Sequence, residues 1–159
     1  MSTAYIDASS FLRALLTDAP GHATAKAILE DPTIRLVSSQ LLAVEADRAA
    51  VRLTNEDPAK AGFIQDVARG LARIHLAAIS SAVVAGTRAI PQTIKSLDAI
   101  HVATANLVAE AIDYVITDDK TMARVLKASG AAVRGTLDAT PPAGEQSLGL
   151  SCQPDSATG

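Results

Sequence analysis

Short apolar runs that stop at polar or acidic residues alternate along this chain with longer segments in which apolar positions recur every three to four residues. Residues 3–7, "TAYID", form such a run ending at an acid, and "SSFLRALL" continues with helical spacing, so a strand followed by a helix is predicted. A second helix, "PGHATAKAILED", follows a Pro-Gly break. Then "TIRLVSS" reads as strand two, and Ser38 or Ser39 is expected to cap the helix "QLLAVEADRAAVRLT". A further helix is predicted over residues 58–70, with "IHLAAI" as strand three and a helix over residues 80–89. Pro91 introduces a loop before the apolar helix "KSLDAIHVATANLVAEA". "DYVIT" is strand four, "KTMARVLKASG" a helix closed by Gly130, and "AAV" a short last strand. Residues 136–159 are rich in Pro, Gly and Ser without apolar period and are expected to form a flexible polar tail behind a domain of residues 1–135.

Alternating strands and helices call for an α/β fold with a mainly parallel sheet covered by helices on both faces, because parallel neighbours need crossovers. The length of 159 residues suits one domain with a real core. With 48% hydrophobic but only 3% aromatic residues, that core must be built from small aliphatic side chains. The start "MSTAYIDASS" is neither basic nor apolar, and no uninterrupted apolar stretch reaches the roughly eighteen residues of a membrane span, so a cytoplasmic protein without membrane contact is expected. Cys152 is the single cysteine, which excludes an intrachain disulfide and a cysteine-built zinc site. A net charge of −3 means that any nucleic acid must be met by a local basic surface.

In an open parallel sheet ligands gather beyond the carboxyl ends of the strands. Asp7 ends strand one, and the pair Asp118–Asp119 follows strand four after Thr117, which puts them at the same edge. Glu45, in the second turn of its helix, and Asp98, in the first turn of another, can lean over that edge. At about 100° per residue Glu45 borders the stripe of Leu42, Ala49 and Leu53. Asp98 shares its line with Val102, Ala105 and Ala109, while Ile100, Ala103 and Leu107 cover the other side, so its helix reads as buried. Each acid has an ordinary structural account: a helix cap for Asp7 and for one of Asp118 and Asp119, a helix-dipole contact for Asp98, and an intrahelical pair with Arg48 for Glu45. Four of them at one edge repel, and a divalent cation is the natural counterion. The oxygen-only donor set favours Mg2+ or Mn2+, which can drive phosphodiester hydrolysis.

These segments resemble the PIN-domain ribonucleases, and among them the VapC-like toxins of toxin–antitoxin pairs. "YIDASSFLRALL" is similar to the family's opening strand with D-x-S, "VSSQLLAVEADRAA" to its strand-then-helix segment, "SLDAIHVATA" to its D-A-x-x-x-A-x-A helix, and "YVITDDKTMARVLKASGAAV" to its T-x-D segment. The resemblance covers residues 3–134. It implies a three-layer α/β/α fold and a Mg2+- or Mn2+-dependent endoribonuclease with Asp7, Glu45, Asp98 and Asp119 as catalytic and metal-binding acids. It further implies Asp118 as an accessory, Ser9 and Thr117 as supporting hydroxyls, a homodimer, and a cognate antitoxin whose carboxy-terminal segment fills the active-site groove. The chain departs from the plain pattern in carrying Asp118 beside Asp119.

Arg48 and Arg52, beside Glu45, and Arg13 on the first helix are the candidates for guiding an RNA backbone. His101 falls roughly on the side of Asp98, where its simplest reading is a packed core histidine; His22 and His75 share no ligand pattern. Two rivals stand beside the nuclease. An aspartyl-phosphate phosphatase would want D-x-D where this chain has Asp7-Ala8-Ser9. A non-catalytic relative would bind RNA or a protein partner and would have no use for four acids.

Overall fold

The computed structural model describes residues 1–137. In chain order these form β1 (Ser2–Ile6), α1 (Ala8–Leu15), α2 (His22–Glu30), β2 (Ile34–Ser39), α3 (Leu41–Glu56), α4 (Phe63–Leu71), β3 (Ile74–Ala77), α5 (Ser81–Arg88), α6 (Ser96–Leu107), β4 (Tyr114–Ile116), α7 (Lys120–Ala128) and β5 (Val133–Arg134). All strand pairs are parallel, in the order β3-β2-β1-β4-β5. β1 is central, and the chain leaves it first toward β2 and later toward β4. The sheet therefore has its topological switch point between β1 and β4, where an open α/β sheet opens a crevice.

The period of two along each strand divides the core between the faces. Ala4 and Ile6 of β1, with Tyr114 and Ile116 of β4, pack with Phe11, Leu42, Ala46, Phe63 and Val67 from α1, α3 and α4. Tyr5 and Val115, pointing the other way, pack with Val102 and Ala105 of α6 and Met122, Val125 and Leu126 of α7. Helices cover both faces, giving the three-layer α/β/α arrangement.

Several details differ from the sequence reading. The helix expected over residues 58–70 is divided. Pro58–Lys60 makes a 3-10 turn in which the Ala59 amide donates to the Asp57 carboxylate, and α4 restarts at Phe63 after Gly62. Ser39 belongs to β2, and its hydroxyl accepts from the Leu41 amide rather than serving as the N-cap, a place taken by Gln40. α6 is not apolar-covered all round, since Leu97 and Leu107 at its ends are half-exposed. Its last predicted turn is a separate 3-10 turn, Ala109–Ala111. The last strand lies one to two residues later than "AAV", where β5 can pair with Val115 and Ile116. Thr136, assigned above to the tail, is buried and bonded to Asp118, so the packed domain reaches past residue 135. This segment crosses the turn between α1 and α2. There Gly21 adopts φ +76, and a side-chain carbon would lie 3.0 Å from the Thr136 carbonyl. The remainder of the expected tail, residues 138–159, lies outside the described residues. No described helix is long and apolar enough to cross a membrane.

Candidate active site

The pairing of β1 with β4 sets Ile6 beside Ile116, so the residues immediately after each, Asp7 and Thr117, meet at the carboxyl edge. Asp7 is the N-cap of α1 and is 3% exposed. Its Oδ1 accepts from the Ser10 amide at 2.7 Å, and its Oδ2 accepts from Ser9 Oγ at 2.8 Å and Thr117 Oγ1 at 2.7 Å. Thr117 in turn accepts from the Asp119 amide at 3.1 Å, so one hydroxyl ties the ends of β1 and β4 together. Asp119 is the N-cap of α7, with Oδ1 bound to the Met122 amide at 2.7 Å. Asp98 lies in the first turn of α6. Three helix amino termini thus carry acids at one place, where the helix dipoles favour negative charge.

These side chains line a single pocket of about 300 Å³, which takes in Asp7, Glu45, Asp98, Asp118 and Asp119 together with Ser9, Arg13 and His101. All four acids predicted to converge are brought there. Asp98 registers the crowding. Burial first and then the charge of Asp119 push its carboxyl above the ordinary aspartate value; Lys95 opposes them, Glu45 adds a smaller push, and His101 gives the least relief. No hydrogen bond from the described residues is among the influences on it.

The doublet is split by its contacts. Asp118, at the pocket wall, bonds Arg13, the Thr136 hydroxyl, the Thr136 amide at 2.6 Å and the Leu137 amide at 3.1 Å. Arg13, proposed from sequence as an RNA contact, is therefore engaged by Asp118 and Thr136 at the pocket wall. Glu45 pairs with His101, Nε2 to Oε2 at 2.8 Å, and not with Arg48. His101 is 3% exposed, and its Nδ1 lies 2.8 Å from the Tyr5 hydroxyl. Burial raises that hydroxyl well above the usual phenol range, the largest of several influences on it. Neither Tyr5 nor the pairing of Asp118 with Arg13, Thr136 and Leu137 was singled out from sequence. The one available signal was the three-residue spacing of Asp98 and His101.

Arg48 and Arg52 line a neighbouring groove of about 760 Å³ that shares Ala8, Ser9 and Glu45 with the acidic pocket. Its walls include Leu12, Leu41, Val44, Val51 and Leu97. Among the described residues neither arginine forms an ion pair.

Carboxylate oxygens are the ligands of hard cations. Among the described residues, no group of three or more His, Cys, Asp or Glu side chains is disposed to hold a metal ion by itself. Mg2+ keeps several waters and takes only one or two carboxylates directly. The donor set therefore fits a hydrated Mg2+ or Mn2+ and does not fit an all-protein cage.

A family model described as PIN domain matches residues 4–127. Among solved structures, the chain is similar to VapBC2 from Rickettsia felis bound to a DNA fragment from their promoter, with TM-score 0.60 and 10% identity over 84% of this chain and 98% of the other. It is also similar to FitAB bound to the IR36 DNA fragment, with TM-score 0.56 and 17% identity over 86% of this chain and 97% of the other. At such identities the likeness is one of fold. No curated protein matches the sequence.

Proposed function

Because the chain belongs to the PIN-domain family, we propose that its acidic pocket is the active site of a Mg2+- or Mn2+-dependent endoribonuclease and that the protein is the toxin of a toxin–antitoxin pair. The observation that carries this reading is the convergence of Asp7, Glu45, Asp98 and Asp119 from separate elements on one pocket, where burial and neighbouring acids push the Asp98 carboxyl up. Such a cluster is relieved by a cation. Asp7, Glu45, Asp98 and Asp119 would hold the ion, with Ser9 and Thr117 fixing Asp7 and Thr117 fixing the start of α7. When bound, the metal supplies an activated water and charge neutralisation at the leaving oxygen. The chain's own residues orient the acids and position the strand. Arg48 and Arg52, in the adjoining groove, contact phosphates of the bound strand. Arg13 contributes by holding the pocket wall through Asp118.

The same groove supports an antitoxin partner. Val44, Val51 and Leu97 are exposed along it, and an apolar peptide laid there reaches the acids through Ser9 and Glu45. A homodimer belongs to the same proposal, supported by Ile79, Val84 and Leu107, which are exposed on or beside α5 and α6.

The test uses the full chain, a single-stranded RNA and Mg2+ or Mn2+, with and without EDTA. Cleavage is expected only with metal, and Asp98→Asn should reduce it by roughly 10²-fold or more with the far-UV spectrum unchanged. Undiminished cleavage by that variant removes the assignment. A second reading, a non-catalytic member that binds RNA or a partner, draws support from the lack, among the described residues, of three side chains already disposed around one ion. It predicts RNA binding with no cleavage under any metal.

A further inference from the structure

Tyr5 and His101, which are linked to Glu45 in a chain of hydrogen bonds, have no part in the proposed function as stated so far. Its members come from β1, α6 and α3, and each link measures 2.8 Å. The imidazole is 3% exposed and meets the Tyr5 ring edge-on, with centroids 6.0 Å apart and planes at 80°. A carboxylate has no hydrogen to give, so the hydrogen between Nε2 and Oε2 belongs to the ring. The Tyr5 hydroxyl faces Nδ1, and a neutral ring that already carries its hydrogen on Nε2 accepts from that hydroxyl. That combination selects one neutral tautomer.

We propose that His101, backed by Tyr5, is a positioning residue whose Nε2–H anchors one oxygen of Glu45 and so presents the other to the acidic pocket. Glu45 projects from α3, the helix on the opposite face of the sheet from α6, and without an anchor its side chain would sample several rotamers. Burying the anchor fixes the carboxylate to the rigid centre of the fold, since Tyr5 sits two residues before Asp7 on the central strand. The same packing that places Asp7 thereby places Glu45. Donors of this kind behind metal-binding carboxylates typically change metal affinity by about 10- to 100-fold when removed. The inference rests on reading the pocket as a divalent-metal nuclease site.

Two measurements on the full chain test it. The first is the nitrogen spectrum of the His101 imidazole in the metal-free protein, expected to show a protonated ε2 and an unprotonated δ1 nitrogen. In Tyr5→Phe the ε2 nitrogen, still held by Glu45, should stay protonated. The second is Mn2+ affinity by calorimetry. His101→Asn, which cannot place a donor at the ε2 position, should weaken binding about 10- to 100-fold. His101→Gln, which can, should retain most of the wild-type affinity. A doubly protonated imidazole, a δ1-protonated one, or a folded His101→Asn protein that binds Mn2+ like wild type would overturn the proposal. Should His101→Asn not fold, the wild-type spectrum and Tyr5→Phe decide. Absence of Mn2+ uptake by the wild type would instead remove the metal reading, and the imidazole spectrum would still show whether His101 holds Glu45 in this way.

Discussion

Asp118 and Asp119 are adjacent in the chain, yet the end of β4 turns them to different work. Asp119 caps α7 and raises the carboxyl of Asp98, whereas Asp118 accepts four bonds from Arg13, Thr136 and Leu137. Its side chain is only 5% exposed, and removing it would strand the Arg13 guanidinium, which keeps 19% of its surface in solvent. A fully buried pair broken on one side costs about 3–5 kcal/mol, and the solvent left to Arg13 brings the expectation for Asp118→Ala down to about 2–3 kcal/mol. Urea unfolding measures that loss, and calorimetry should show Mn2+ affinity close to wild type. A large fall in affinity would return Asp118 to the metal. The doublet and its spacing from Thr117 were plain in the sequence. Its division was not, because the residues that claim Asp118 lie 105 and 18 positions away and nothing in their local pattern points to it.

At the scale of elements, periodicity located every strand and every helix to within a few residues, since each buries one face and repeats its apolar positions accordingly. Where it failed, local chemistry outweighed the period. Asp57 and Pro58 make a tight turn that apolar spacing does not record, and β5 is set by its pairing with β4 rather than by its own residues. Close helix approach was equally hidden. Gly70 of α4 lies against Phe11 of α1, and a β-carbon there would stand 2.9 Å from two atoms of the ring, which is fully buried. In a helix alanine is ordinarily favoured over glycine by about 1 kcal/mol. Here overpacking against an immobile ring should outweigh that gain, so Gly70→Ala is expected to lower stability by about 1–3 kcal/mol net. A thermal or urea midpoint above wild type would mean that α4 can slide away from α1.

At the scale of the molecule, the order β3-β2-β1-β4-β5 decides where chemistry is possible, and no periodicity in the chain encodes it. The sequence supported the weaker inference that acids after parallel strands share an edge, and the switch point between β1 and β4 is what turns that edge into a crevice. The net charge of −3 makes approach by RNA unfavourable at long range, so binding must depend on few, local contacts. Arg48 and Arg52 are exposed on α3 and line the groove leading to Glu45, whose carboxylate is hydrogen-bonded to His101. Among the described residues neither guanidinium forms an ion pair. For a single strand each phosphate contact contributes about 0.7 to the slope of log affinity against log salt. The Arg48→Ala, Arg52→Ala double variant should therefore bind single-stranded RNA more weakly and flatten that slope by about 1.4, measured by fluorescence anisotropy in the metal-free protein across a salt series. An unchanged slope would remove both arginines from the RNA path, leaving the apolar wall of the groove to a protein partner alone.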